Sequence, residues 1–139
     1  MTIKHKETKI DLVEDNSISY LPEFIQQKIK FDLILVDGDH NYETVKKECE
    51  SLSSLFHNDT LFIFDDYDGR YSHKDLFYAN REEYKGIKGF TETESKSRTG
   101  IKQPIDDFIE KNNLGTFKIF DAEPLCVAKK ENTFIRLKQ

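Results

Sequence analysis

Apolar and polar residues alternate along the chain in blocks that predict strands and helices in turn. Residues 31–36 (FDLILV) and 60–64 (TLFIF) are short apolar runs, as expected of strands that are covered on both faces. Residues 8–13 (TKIDLV) predict a shorter strand ahead of them. This alternation is typical of an α/β fold in which helices cover a parallel sheet.

Between these runs, apolar residues recur at helical spacing. The sequence DNS offers an N-cap for a first helix, whose apolar positions are Leu21, Phe24, Ile25 and Ile29. Residues 41–56 predict a second helix with one apolar face, made by Tyr42, Val45, Cys49, Leu52, Leu55 and Phe56. His57-Asn58-Asp59 is expected to end it. A third helix is predicted from about Pro104 to Asn112, stopped by Gly115.

The last part of the chain predicts strands over residues 116–121, 124–129 and 133–137. The first two are joined so tightly that they must form an antiparallel hairpin. The polar stretch 66–99 is predicted as an excursion with some helix around 73–84. Its tyrosines and arginines could close over a bound anion or sugar, or could form a surface loop. They are Tyr67, Tyr71, Tyr78, Tyr84, Arg70 and Arg81.

Composition narrows the class of protein. A length of 139 residues suits one domain, and a net charge of −5 argues against nucleic acid as the main partner. No apolar run approaches the roughly 20 residues that span a membrane, and the polar N-terminus shows no signal peptide. We therefore expect a soluble, cytoplasmic protein that binds no membrane. Cys49 and Cys126 are predicted to be buried thiols.

Carboxylates follow both apolar runs at the point where each strand ends. Asp37 follows the first run, and Asp65-Asp66 follow the second. Neighbouring parallel strands would bring these acids into one crevice, where they could share a hard cation such as magnesium. His40 lies at the mouth of the same crevice and could act as a general base. The alternative is that each acid is a solvated or capping residue, as Asp39 and Asn41 could be.

These residues resemble a known family. The stretch FDLILVDGDHNYETVKKECESLSSLF, followed by TLFIFDDYD, is similar to the second half of class I S-adenosylmethionine-dependent methyltransferases, and most similar to the macrocin-type O-methyltransferases. IDLVEDNSISYLP and TGIKQPIDDFI resemble flanking parts of that family. The resemblance implies a three-layer, mostly parallel Rossmann-like sheet, ending in an antiparallel hairpin and truncated in its N-terminal half. Residues 1–139 would be one partial methyltransferase-like domain.

The resemblance also implies site residues. Asp37, Asp65 and Asp66 match the ligands of a Mg²⁺ ion, and His40 matches the general base. The resemblance implies that Asn16, Ser17 and Asp37 bind S-adenosylmethionine, with Asn16 on the adenine side. Asparagine stands at position 16 where the family has aspartate, and Asp15 stands where it has glycine. The implied activity is metal-assisted O-methyl transfer to a small hydroxylated acceptor, such as a sugar.

One departure from the family is large. The glycine-rich turn that cradles the cofactor is missing, since all six glycines lie at or after Gly38. The strand at 31–36 would then lose a neighbour, and we expect residues 8–13, a second copy or a partner chain to cover its edge.

Two further alternatives remain. The chain could be a non-catalytic remnant or a partner subunit. The stretch LILVDGDHN also resembles the nucleophile motif of haloacid-dehalogenase-type phosphatases, with Asp37 as nucleophile and Asp39 as acid. Asn41, however, stands where that motif has threonine or valine.

Overall fold

The computed structural model describes residues 9–77, 82–84, 99–117 and 125–130. Three α-helices lie in this part of the chain: α1 (Ser17–Gln26), α2 (Tyr42–Leu52) and α3 (Lys102–Lys111). Four strands accompany them: β1 (Phe31–Val36), β2 (Phe56–Phe64), β3 (Leu114–Phe117) and β4 (Cys126–Lys130). Glu82–Tyr84 form a short 3₁₀ turn.

The four strands form one sheet in the order β1-β2-β4-β3. β1 and β2 run parallel, with Ile34 beside Phe62 and Val36 beside Phe64. This confirms the prediction that the two apolar runs lie side by side and point the same way. β4 pairs antiparallel with both β2 and β3, so the predicted closing hairpin is also confirmed.

The core lies between the helices and one face of the sheet. Phe62 and Phe64 of β2 are fully buried and meet Phe108 of α3, with ring centroids 5.2 Å and 5.9 Å apart. The same hydrophobic cluster includes Val45, Cys49 and Leu52 of α2, and Leu21, Phe24 and Ile25 of α1 pack against it. Both cysteines are buried and free, as predicted. The helices therefore pack together on one side of the sheet.

The sheet differs from the predicted architecture in two respects. It is mixed, with one parallel pair and two antiparallel pairs, so "mostly parallel" is wrong for the part that the structure describes. Its opposite face is open at β1, where Leu33 is 57% and Leu35 is 61% exposed. At this strand the described residues form two layers and not three, because no described element covers the second face.

The predicted strand at 8–13 is also wrong over residues 9–13, which carry no strand hydrogen bonds. Ile10 and Leu12 are 85% and 91% exposed, so this segment does not pack against β1. Residue 8 lies outside the described residues. The apolar pattern was too short to specify a strand without a neighbour to pair with.

Helix ends differ from the sequence prediction for local reasons. α2 ends at Leu52, and Phe56 already belongs to β2. The predicted break at His57-Asn58-Asp59 is a bulge inside β2, across which the register passes from Phe31 beside Phe56 to Leu33 beside Leu61. After α3 the chain turns at Asn113, which has a φ of 51°, and Gly115 lies within β3. Asparagine tolerates this left-handed conformation better than most residues do.

Several predicted features cannot be compared with the fold. The strand at 133–137, the predicted strand residues 118–121 and 124, and the residues Tyr78 and Arg81 lie outside the described ranges. Of the helix predicted around 73–84, residues 73–77 are not helical, and Glu82–Tyr84 form only the 3₁₀ turn. No helix among the described residues has both the length and the apolar character needed to cross a membrane.

The outer edge of β1 carries no paired strand within the described ranges. An open edge beside exposed leucines favours association with another chain. We expect light scattering to give a mass above that of the monomer, rising with concentration. Leu35→Lys should lower this mass, because a charge on the edge strand opposes pairing, whereas Gln26→Lys on the exposed side of α1 should not. A wild-type protein that stays monomeric at all concentrations would contradict this expectation.

Candidate functional site

The carboxyl ends of β1 and β2 meet at one point. The backbone N–H of Asp65 donates to the carbonyl of Val36 at 3.0 Å, which extends the parallel ladder just beyond both strands. Asp37 and Asp65 therefore leave the sheet side by side. One ligand atom each from Asp37, His40 and Asp65 lies within 4.8 Å of the others. Two of the predicted acids and the predicted histidine are brought together here.

The electrostatics of this cluster are unfavourable without a cation. The pKa of Asp37 is raised, first by partial burial and then by the charge and hydrogen bonding of Asp65. His40 acts in the opposite direction on the same carboxyl, and its Nε2 lies 4.0 Å from Asp37 Oδ1. Two neighbouring carboxylates offer the oxygen ligands that a hard divalent cation prefers.

His40 is held in place by the segment that follows β2. Its ring stacks on Tyr71 with a centroid distance of 5.3 Å and an interplanar angle of 9°. Its carbonyl accepts from the N–H of Leu76 at 3.0 Å, and its side chain is only 14% exposed. Contacts to both the backbone and the ring of His40 therefore hold its imidazole in place.

The loop that carries Asp37 and His40 is tied to the same segment by buried polar groups. Asn41 donates from its side-chain amide to the carbonyl of Leu76. Asp75 Oδ1 accepts from the N–H of Tyr42 at 2.8 Å, at the first residue of α2, and from the N–H of Gly100 at 2.6 Å. Sequence reasoning missed Asp75, because its partners are far away in the chain and no local pattern marks it.

Gly100 allows the close approach on which this tie depends. Its φ is +79°, and a Cβ at this position would lie 2.3 Å from the carbonyl oxygen of Ser72. Only glycine fits this crossing without a shift of the backbone. The sequence shows a glycine just before α3, but it does not show which backbone segment crosses close to it.

Asp66 is engaged in the turn that follows β2. It has a φ of 56°, and its Oδ1 accepts from the N–H of Arg70 at 3.1 Å. Its carboxylate is not in the group formed by Asp37, His40 and Asp65. Asp66 as a metal ligand therefore stays a prediction, without geometric support from this structure.

Asp39 makes hydrogen bonds to side chains that are close to it in the sequence. It accepts from the Thr44 hydroxyl at 2.5 Å and from the Asn41 amide at 3.3 Å. Burial raises the pKa of Asp39, while these hydrogen bonds oppose the shift. The alternative considered for Asp39 and Asn41 was capping of the second helix. Asn41 stands at the N-cap of α2 but makes no side-chain cap hydrogen bond, and these hydrogen bonds of Asp39 are to side chains.

Asn16 and Ser17, which were expected to contact the cofactor, make hydrogen bonds within the fold. Asn16 is the N-cap of α1 and accepts from the N–H of Ile18 at 2.9 Å. Ser17 donates to Oε1 of Glu48 at 2.5 Å. Glu48 is only 6% exposed, and its Oε2 has no hydrogen-bond partner in the part of the chain that the structure describes. A Cβ on Gly38 would lie 3.8 Å from Glu48 Oε1, so this carboxyl lies next to the acidic loop.

Comparison with known proteins gives one match. A family model described as a methyltransferase domain matches residues 3–67. The matched segment is just under half of the chain and includes α1, β1, α2 and β2 as well as Asp37, His40 and Asp65. The comparisons with curated proteins and with solved structures give no match. The family match supports a methyltransferase-like function, and methyltransferase domains generally use S-adenosylmethionine.

The buried carboxyl of Glu48 leads to a prediction about how the stability of the fold depends on pH. Burial raises the pKa of its carboxyl above the ordinary 4.5. The stability it contributes is therefore full below pH 4.5 and is lost as the pH rises through the folded-state pKa. Glu48→Gln removes this titration. Relative to wild type, the variant should gain free energy of unfolding as the pH rises, by at most about 1.4 kcal/mol per pH unit.

Urea unfolding between pH 4.5 and pH 8 measures this difference, which includes the loss of the charge interaction between Glu48 and Asp39. Glu50→Gln, on the exposed side of the same helix, is the matched control and should keep the wild-type pH dependence. Parallel stability curves for Glu48→Gln and wild type would show that the Glu48 carboxyl is not destabilised by burial.

Proposed function

We propose that the chain takes part in O-methyl transfer from S-adenosylmethionine to a small hydroxylated acceptor, such as a sugar, with the help of a divalent cation. The observation that carries this proposal is the parallel pairing of β1 and β2, which brings Asp37 and Asp65 together beside His40. The match to a methyltransferase domain over residues 3–67 supports the reaction class.

The donor set fits a divalent cation. Asp37 and Asp65 offer carboxylate oxygens, and the pKa of Asp37 is raised first by burial and then by the negative charge of Asp65, which a cation would neutralise. A cation bound here would lower the pKa of a nearby hydroxyl group and stabilise negative charge on its oxygen. The residues around the crevice would hold two oxygens of the acceptor beside the cation and exclude other orientations of the acceptor.

His40 supports the proposal through its fixed ring. An imidazole whose Nε2 lies 4.0 Å from Asp37 Oδ1 has two possible roles. It could take the proton from the acceptor hydroxyl, which is the role implied by the resemblance, or it could bind the cation itself. Both roles need the ring orientation that stacking on Tyr71 provides.

A cavity beyond β2 offers room for the acceptor. It has a volume of about 280 Å³ and is lined in part by Tyr67, Lys102 and Cys126. Tyr67 follows Asp66 directly, its hydroxyl donates to Asp106 at 2.5 Å, and Lys102 lies over its ring. An aromatic face with charged neighbours suits a small hydroxylated molecule better than an apolar one.

The described residues offer fewer groups for binding S-adenosylmethionine than for binding the cation. Asn16 and Ser17 make hydrogen bonds within the fold, and the glycine-rich cradle is missing from the sequence. We propose that groups outside the described residues, or a second chain at the open edge of β1, hold most of S-adenosylmethionine. The same observation favours the second candidate function, a non-catalytic methyltransferase-like subunit that completes another chain.

Calorimetry separates these functions. We expect Mg²⁺ or Mn²⁺ to bind to the full chain and to stabilise it, by about 2.7 kcal/mol at a concentration 100 times the dissociation constant. Asp65→Asn should abolish this binding, because it removes one of the two carboxylates at the strand ends. Asp59→Asn removes the same charge at the other end of β2 and should leave it unchanged.

S-adenosylmethionine is then titrated with and without the cation, and transfer of a labelled methyl group to hydroxylated acceptors is measured. Binding and transfer by this chain alone support the enzyme. Cation binding without S-adenosylmethionine binding supports the subunit. If neither the cation nor S-adenosylmethionine binds, the proposed function is wrong.

A further inference from the structure

The structure and the family resemblance differ on the third group beside Asp37 and Asp65. The resemblance implies Asp66, which follows Asp65 in the chain. The structure brings His40 to this point, with a ligand atom within 4.8 Å of those of Asp37 and Asp65. A histidine in this position changes which cations the cluster can bind.

Asp66 is engaged in its own turn, although its charge still acts on Asp37 and is among the causes that raise the pKa of Asp37. Its φ of 56° places the backbone in the left-handed region, and the N–H of Gly69 donates to its carbonyl at 3.0 Å. Its Oδ1 accepts from the N–H of Arg70 at 3.1 Å. Turning this carboxylate towards Asp37 would break the contact with Arg70, so Asp66 is poorly suited to complete the cluster.

His40 lies close to the point that Asp37 and Asp65 share, since one ligand atom of each of the three residues lies within 4.8 Å of the others. Two ligand atoms that are each about 2.1 Å from one ion lie about 3 to 4.2 Å apart. The 4.0 Å between His40 Nε2 and Asp37 Oδ1 falls in this range. The stacked ring of Tyr71 and the hydrogen bond from Leu76 to the His40 carbonyl fix the imidazole there.

We propose that His40 binds the divalent cation directly through Nε2, together with Asp37 and Asp65, and that Asp66 is not a ligand. This inference rests on the proposed function and deepens it by naming the ligand set. A set of two carboxylates and one imidazole favours Mn²⁺, Fe²⁺, Co²⁺ or Zn²⁺ over Mg²⁺, which prefers oxygen ligands alone. It also removes His40 Nε2 from the role of general base while the cation is bound.

Electron paramagnetic resonance of Mn²⁺ with the full chain tests this ligand set. The signal of free Mn²⁺ gives the dissociation constant, and the modulation from ¹⁴N shows whether an imidazole nitrogen is bound to the ion. We expect ¹⁴N modulation in wild type and its loss in His40→Gln, with affinity at least tenfold weaker. Asp66→Asn should bind Mn²⁺ within about threefold of wild type, and Mg²⁺ should displace Mn²⁺ only at a large excess.

Two controls exclude indirect effects. His57→Gln removes a histidine at the opposite end of the sheet, where it contacts Asp32, and should leave the ¹⁴N modulation unchanged. Circular dichroism shows whether His40→Gln is folded, and Asp65→Asn gives a second variant that should lose the ion.

The possible failures are distinguishable. Mn²⁺ binding without ¹⁴N modulation, weakened by Asp66→Asn but not by His40→Gln, would overturn the inference and leave the proposed function intact. No Mn²⁺ binding at millimolar concentration would overturn the inference and the cation part of the proposed function, whereas binding of S-adenosylmethionine, measured separately, tests the remainder.

Discussion

The parallel pairing of β1 and β2 is the constraint on which the candidate site depends. The register pairs Val36 with Phe64, the last residues of the two strands, so the next residues in both strands leave the sheet at the same height. Neighbouring strands are about 4.8 Å apart, which is close enough for two carboxylates to share one ion. A shift of one residue would turn Asp37 or Asp65 to the other face and bury or expose the wrong side chains. The burial of Phe62 and Phe64 against Phe108 thus fixes the site as well as the core.

The second structural requirement is the tie between the acidic loop and the segment that follows β2. Asp75 joins the start of α2 to Gly100, and Tyr71 and Leu76 hold His40. These contacts connect three parts of the chain that are far apart in sequence. They stiffen the mouth of the crevice, so that the imidazole and the two carboxylates keep their relative positions. A site on a loop without such ties would lose the geometry that cation binding or proton transfer requires.

Several carboxyl groups in this region have raised pKa values, with burial as the first cause. Asp37 and Asp65 lie next to each other, and burial and their mutual charge raise the pKa of Asp37. Glu48 is buried beside Gly38 with one oxygen unpartnered among the described residues. Groups with perturbed pKa values concentrate where proteins bind ions and ligands. Leu33 and Leu35 are exposed on the open face of β1, next to the edge at which we propose that a second chain binds.

The sequence by itself determined the elements whose pattern is local. The apolar run 31–36, the apolar face of α2, the cap at Asn16 and the acids after each strand could all be read from spacing, because burial requires period 2 in strands and period 3.6 in helices. The tertiary structure alone decided which groups meet. Asp75 and Tyr71 gave no local signal, since their partners are distant in the chain. Asp66 and His40 both follow a strand-end acid closely in the chain, yet Asp66 is engaged in a left-handed turn, whereas stacking on Tyr71 holds His40 beside Asp37 and Asp65. Side-chain direction in a loop depends on such contacts, and spacing along the chain cannot specify it.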